Sequence, residues 1–145
     1  MSDYFRAIDP LPLQSAEQNK LHGFYAALGE GRLVTTRCAQ CGRLAWPPRG
    51  FCPECTCDRF EWAELPREGV VHGCTRQETG VPAGFTAPLV FAIVKVGELR
   101  IFAPVVGPGA ADVQVGSRVA FEPLRAADEP GGGARHLVAF RPAAA

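Results

Sequence analysis

Excess charge of either sign is missing from this 145-residue chain: Lys+Arg and Asp+Glu number 15 each, and the pI is near 6.8. Only two of the cations are lysines. Proteins that grip nucleic acid through its phosphates usually carry a surplus of Lys and Arg, so the balance argues against that partner. Long apolar runs are missing too. No stretch approaches the roughly 20 apolar residues needed to span a bilayer. The opening MSDYFRAIDP lacks the apolar core of a secretion signal, and a soluble cytoplasmic protein is expected. There is no Gly-rich phosphate loop, no His-Glu-x-x-His and no Gly-x-Ser-x-Gly. Asp112, Glu122, Asp128 and Glu129 make no carboxylate pair suited to acid–base work.

What the chain does have is apolar content, turns and cysteine. Hydrophobic residues make up 47%, enough for a globular core. Gly (16) and Pro (13) together form about a fifth of the chain, which favours short strands and many turns over a helical bundle. The stretch CAQCGRLAWPPRGFCPEC, residues 38–55, holds two Cys-x-x-Cys pairs, Cys38/Cys41 and Cys52/Cys55. This is the spacing of a closed four-thiolate site, most suited to Zn²⁺, with iron chemically allowed. Gly42 after the first pair suits a turn with φ > 0, and Pro53 stiffens the second. Disulfides fit less well, because Cys-x-x-Cys is a poor bridge. A closed site has no open coordination position, so it is architectural and not catalytic. Arg32, Arg37, Arg43 and Arg49 accompany it without a single acid between Gly31 and Pro53. Part of that excess offsets the negative charge of a metal with four thiolates.

Taken in order, residues 1–14 are expected to run irregularly, with Tyr4, Phe5 and Ile8 as anchors. Ser15 and Gln18 form a capping box for a helix whose apolar face is Leu21, Phe24, Tyr25 and Leu28, ended by Gly29 and Gly31. Leu33–Arg37, Leu44–Trp46 and Phe60–Leu65 read as the strands of a zinc ribbon. Beyond Pro66 the pattern is all-β. Strands are expected at Gly69–Thr79, Leu89–Val96, Leu99–Val106, Arg118–Leu124 and His136–Arg141. The second and third form a hairpin through Gly97-Glu98. Pro104 marks an edge or a bulge. A helical turn falls within 107–116, and AADEPGGGAR forms a flexible tip. Five short strands suit a small closed barrel of the OB type. The fold class is therefore mainly β: an N-terminal helical segment (1–31), a rubredoxin-like zinc ribbon (32–66) and a five-stranded OB barrel (67–145).

The stretches FYAALGEGRLVTTRCAQCGRLAWPPRGFCPEC, FEWAELPREGVV, GFTAPLVFAIVKV, VQVGSRVAFEP and VAFRPA, spread over Phe24–Ala143, carry a resemblance. The chain resembles the zinc-ribbon/OB-fold, acyl-CoA-associated proteins long grouped as a domain of unknown function. The resemblance implies a companion subunit that is not catalytic alone. Its partner is a thiolase-superfamily enzyme (thiolase, related acyltransferase or retro-aldolase) or an acyl-CoA hydratase, and it helps to hold or pass the CoA thioester. One departure stands out. Thr56 and Cys57 follow the second pair where a glycine is common, so Cys57 competes with Cys55 as ligand. The matching x₂ spacing favours Cys55.

Three other groups of residues invite chemistry. Arg43, Trp46 and Arg49 suit phosphate and adenine contacts of CoA, or a partner interface. A solvated loop with Trp46 capping the ribbon core explains them equally well. Phe85, beside Gly84, lines a ligand channel or partner surface, or folds over the barrel mouth. His72 and Cys74, two apart on one strand, share a face. A buried barrel cysteine near a satisfied histidine is favoured over a nucleophile pair. Two readings compete with the companion subunit: a nucleic-acid-binding ribbon/OB module, and an enzyme using Cys74 and His72.

Overall fold

The computed structural model describes residues 13–82, 85–128 and 134–143. The anchors expected at Tyr4, Phe5 and Ile8, the glycines at 131–133 and Gly84 lie outside the described residues. One helix, α1 (His22–Gly29), precedes three strands, β1 (Val34–Cys38), β2 (Leu44–Ala45) and β3 (Phe60–Glu64). These form an antiparallel sheet in the order β2-β1-β3. Five further strands follow: β4 (Glu68–Gln77), β5 (Leu89–Val96), β6 (Leu99–Val105), β7 (Arg118–Asp128) and β8 (Ala134–Pro142). They close a barrel in the order β4-β5-β6-β8-β7, with a 3₁₀ turn at Ala110–Asp112 between β6 and β7.

The helix is shorter than its sequence suggests. Residues 15–21 form turns, in which the amides of Gln18 and Asn19 both reach the Ser15 carbonyl (3.1 and 3.0 Å). The Asn19 side chain accepts the amide of Leu21 (2.8 Å). Such a local bond offers the backbone an alternative to helix and delays its start. The apolar face survives the change: Phe24, Ala27 and Leu28 are buried. The chain enters through Gln14, a buried side chain clamped to the His136 backbone in both directions. Its amide nitrogen donates to the His136 carbonyl and its oxygen accepts the His136 amide, each at 2.9 Å. Nothing local marks this clamp, since a lone Gln in a turn-rich segment looks solvated.

In the barrel, β5 and β6 make the expected hairpin, with Gly97 in the left-handed region (φ +57°) that the two-residue turn requires. No register shift occurs at Pro104. It lies one residue from Val105, whose pairing with Phe140 is the single rung between β6 and β8. The strand is therefore nearly an edge there, as the proline suggests. The strands β7 and β8 run further than expected, pairing as far as Asp128 with Ala134. The cross-strand ladder thus orders both flanks of the segment read as a flexible tip. A bulge in β4 separates Val71 from Gly73. His72 and Cys74 are both exposed there. The burial expected for Cys74 is corrected: its thiol lies at the surface, 3.8 Å from the Val113 carbonyl.

One hydrophobic core runs through the molecule. Phe24, Leu28, Leu33, Val34 and Leu65, from the helix and ribbon base, join Val71, Val94, Ile101, Val119, Phe121 and Phe140 of the barrel. The metal-binding end of the ribbon is thus a projection from a base built into the barrel core.

Candidate metal centre

Two turns of matching geometry present the four sulfurs. In the first, the Cys38 amide donates to the Arg43 carbonyl (2.9 Å) and the Gly42 amide to the Cys38 carbonyl (3.0 Å). In the second, the Cys52 amide donates to Cys57 (2.9 Å) and the Thr56 amide to Cys52 (3.0 Å). Gly42 and Thr56 hold equivalent places, and both are left-handed, with φ of +76° and +62°. Threonine therefore occupies a position that favours glycine, and the second turn keeps its shape in spite of it.

The Sγ atoms of Cys38, Cys41, Cys52 and Cys55 all lie within 4.8 Å of one another. The Cys38–Cys55 and Cys41–Cys52 separations are 3.5 Å. Four ligands at about 2.3 Å from a tetrahedral zinc stand about 3.8 Å apart, so this set fits a structural zinc. Cys57 is not in the cluster. Its sulfur turns to Arg59, accepting that residue's amide at 3.5 Å. None of the six cysteines is disulfide-bonded.

The electrostatics also suit a cation. Amides of Cys41 and Gln40 point at the Cys38 sulfur (3.5 and 3.4 Å). These bonds, with the Cys41 amide foremost, lower the Cys38 thiol to about 6. The amide of Cys55 likewise leads in lowering Cys52. Cys55 is pushed up to about 12: the Cys57 amide pulls it down, but burial and the neighbouring sulfurs outweigh that pull. Cys41 is raised by the same balance, the Arg43 amide opposing the Cys52 sulfur and burial. Without a metal, four crowded thiols cannot all ionise; a divalent cation removes that conflict.

The remaining candidate residues divide among three places. Arg43 is exposed and paired with Glu54 (2.8 Å). Arg49 is exposed, and its backbone amide is held by the Thr36 hydroxyl (3.0 Å). Arg43, Arg49, Phe51 and Arg59 surround one shallow depression beside Cys38 and Cys52. Trp46 faces elsewhere, edge-on to Phe24 of α1 with ring centroids 5.8 Å apart. It lines a groove of about 410 Å³, together with Tyr25, Arg100, Phe102 and His136, where β6 and β8 diverge beneath the helix. Burial in that groove raises the Tyr25 hydroxyl above its ordinary value. Phe85 is half-buried in the loop before β5, its amide on the Pro82 carbonyl (3.1 Å). Tyr25, Arg100, Phe102 and His136 carried no motif. They meet only because the helix crosses a barrel seam.

These features define a ribbon-and-barrel protein with a closed four-thiolate centre. Residues 26–61 match the family described as "ChsH2, rubredoxin-like zinc ribbon domain". A chain of the Ltp2–ChsH2(DUF35) aldolase structure superposes with a TM-score of 0.70 at 28% identity, covering 86% of this chain and 95% of that one. A DUF35-family protein of unknown function from Sulfolobus solfataricus shares the fold (TM-score 0.54, 18% identity, 90% and 93% covered). The chain thus carries a zinc ribbon of the ChsH2 type and shares the ribbon-and-barrel fold of these DUF35 structures. Among curated proteins it is 37% identical over 76 residues to the benzoylsuccinyl-CoA thiolase subunit BbsA of Thauera aromatica, covering 51% of this chain and 52% of that one. It is 30% identical over 121 residues to a probable enoyl-CoA hydratase alpha subunit of Thermomonospora curvata, covering 83% of this chain and 36% of that protein. The chain thus spans about a half and about a third of these relatives' lengths. Among the described residues no helix is long and apolar enough to cross a membrane.

Proposed function

We propose that this chain is a zinc-stabilised, non-catalytic companion subunit of a thiolase-type complex acting on CoA thioesters. In this reading the acyl-transfer, thiolysis or retro-aldol step belongs to the partner. The observation that carries it is the match over 86% of this chain to a chain of the Ltp2–ChsH2(DUF35) aldolase structure, alongside similarity to a thiolase subunit. The partition of labour follows from the site chemistry: a zinc held by Cys38, Cys41, Cys52 and Cys55 has no free position for substrate. The chain divides into an entry segment and helix (1–31), the ribbon (32–66) and the barrel (67–145). Arg43 and Arg49 on the ribbon, Trp46 in the groove and Phe85 on the barrel loop serve as contacts to the CoA thioester or to the partner. An acyl-CoA hydratase is the second partner class, favoured by the Thermomonospora relative.

The test is co-purification of tagged chain from its native source, followed by assay with CoA thioesters. A thiolase-fold subunit in the same peak, with turnover requiring it, is the expected result. A partnerless monomer, or turnover by the chain alone that Cys74→Ala abolishes, overturns the proposal.

A further inference from the structure

Three adjacent barrel strands present an outer face poorly suited to water. Their inner residues alternate as a barrel requires: Val90, Ala92, Val94 and Val96 of β5 and Ile101, Ala103 and Val105 of β6 are buried. The residues between them point outward, and the register sets them in rows. Val70, Lys95 and Arg100 form one row; Gly73, Ile93 and Phe102 the next; Thr75, Phe91 and Pro104 the third. Phe102 is 63% exposed, Val70 45% and Ile93 39%. Phe91 and Phe102 stack, with ring centroids 5.2 Å apart and planes 5° from parallel. A strand that is apolar on both faces is ordinarily covered on both. With strands about 4.8 Å apart and alternate residues about 7 Å apart, the grid spans on the order of 300 Å². Its apolar members, Val70, Ile93, Phe102, Phe91 and Pro104, adjoin one another, and the largest such cluster on a protein surface is often functional. Arg100 and Phe102 also line the groove beside α1, so the surface continues onto the helix.

The charges within these three rows are of one sign, and Glu68, exposed on β4 next to them, is taken up by Arg118. Lys95 and Arg100 stand directly opposite each other on neighbouring strands. Like charges in that position destabilise a sheet. Among the described residues neither has a carboxylate within ion-pair reach, whereas Arg32, Arg43, Arg76, Arg118 and Arg141 each do. Glu98, in the hairpin turn, pairs with neither. The arrangement costs the isolated chain stability and is relieved by an acidic surface laid upon it.

We infer that this face docks a different polypeptide, one presenting apolar anchors beside carboxylates that meet Lys95 and Arg100. A second copy is a poor fit. In one orientation its cations meet these cations; in the other they are buried against Phe91 and Pro104 without partners. The companion-subunit reading supplies only the partner's identity.

A photo-crosslinking residue placed at position 102, and separately at exposed Val115 as control, tests this in the native host. The expected result is an adduct from position 102, and none from 115, with one polypeptide that also co-purifies stoichiometrically. The adduct should fall at least tenfold in Lys95→Glu/Arg100→Glu and persist in Arg141→Gln, while zinc content and circular dichroism stay unchanged. Elevated salt should weaken it. No adduct at 102, an adduct between two copies, or indifference to charge reversal overturns the inference. If a thiolase-type subunit co-purifies but does not crosslink at 102, only this inference falls. If a charge-sensitive, stoichiometric adduct forms with an unrelated protein, the inference stands and the thiolase-type assignment falls.

Discussion

Thr56 sits at φ +62° where its counterpart Gly42 sits at +76°, so two equivalent backbone positions carry unequal strain. A side chain in the left-handed region costs about 1–2 kcal/mol, and glycine's extra freedom in the unfolded chain returns about half of that. Thr56→Gly is therefore expected to stabilise the zinc-loaded protein by up to about 1 kcal/mol. Gly42→Thr is expected to destabilise it by about 1–2 kcal/mol. Urea unfolding midpoints of the two variants, which should move in opposite directions, check this. A second residue-scale prediction concerns Gln14. Its removal takes away the side-chain partner of both the amide and the carbonyl of His136. Gln14→Ala should cost about 1–3 kcal/mol, while Gln18→Ala, at an exposed position, should cost less than about 0.5. Thermal denaturation of the two variants discriminates between a clamp and a passing contact.

At the level of elements, the ribbon's turns depend on the metal and its base does not. Zinc removal should release the Cys38–Cys57 region to proteolysis while the barrel retains its β-sheet circular dichroism, because Leu33, Val34 and Leu65 lie within the barrel core. Full loss of barrel signal on chelation would contradict this. Loading should also be proton-coupled. Cys55 at about 12 and the raised Cys41 thiol hold their protons near pH 7.5, so zinc binding there should release at least two protons. Affinity should fall as pH falls, since protons and metal compete for the same sulfurs. Calorimetry in buffers of different ionisation enthalpy measures the number. The elements themselves were largely legible in the sequence. The two Cys pairs fix the ribbon, and Leu89–Val96 with Gly97-Glu98 fixes the hairpin. The helix start was not, because a side-chain bond at Asn19 outcompetes the Ser15 cap. Nor was the length of β7 and β8, whose ladder overrides a locally turn-prone composition. The groove was invisible because its residues come from α1, the ribbon, β6 and β8 and share no local pattern.

For the whole molecule, the exposed position of Cys74 bears on how activity is divided between subunits. Its thiol lies 3.8 Å from a backbone carbonyl, and His72 is exposed on the same strand beside a bulge. No described contact joins the two. Cys74→Ser should leave turnover by the assembled complex within about twofold of the parent, since surface substitutions away from special features change little. A loss of a hundredfold or more would move the chemistry onto this chain.

The lone rung between Val105 and Phe140 has a further consequence. The five strands close a barrel whose β6–β8 seam is its weakest pairing, with the groove beside α1 opening next to it. Along β6, amides turned toward β5 are locked into a ladder, whereas those turned toward β8 near Arg100 and Phe102 border the groove beside α1. Hydrogen exchange should therefore alternate along Leu99–Ala103, slow and fast by turns. Deuterium should therefore enter along that seam first, leaving the rest of the ring protected.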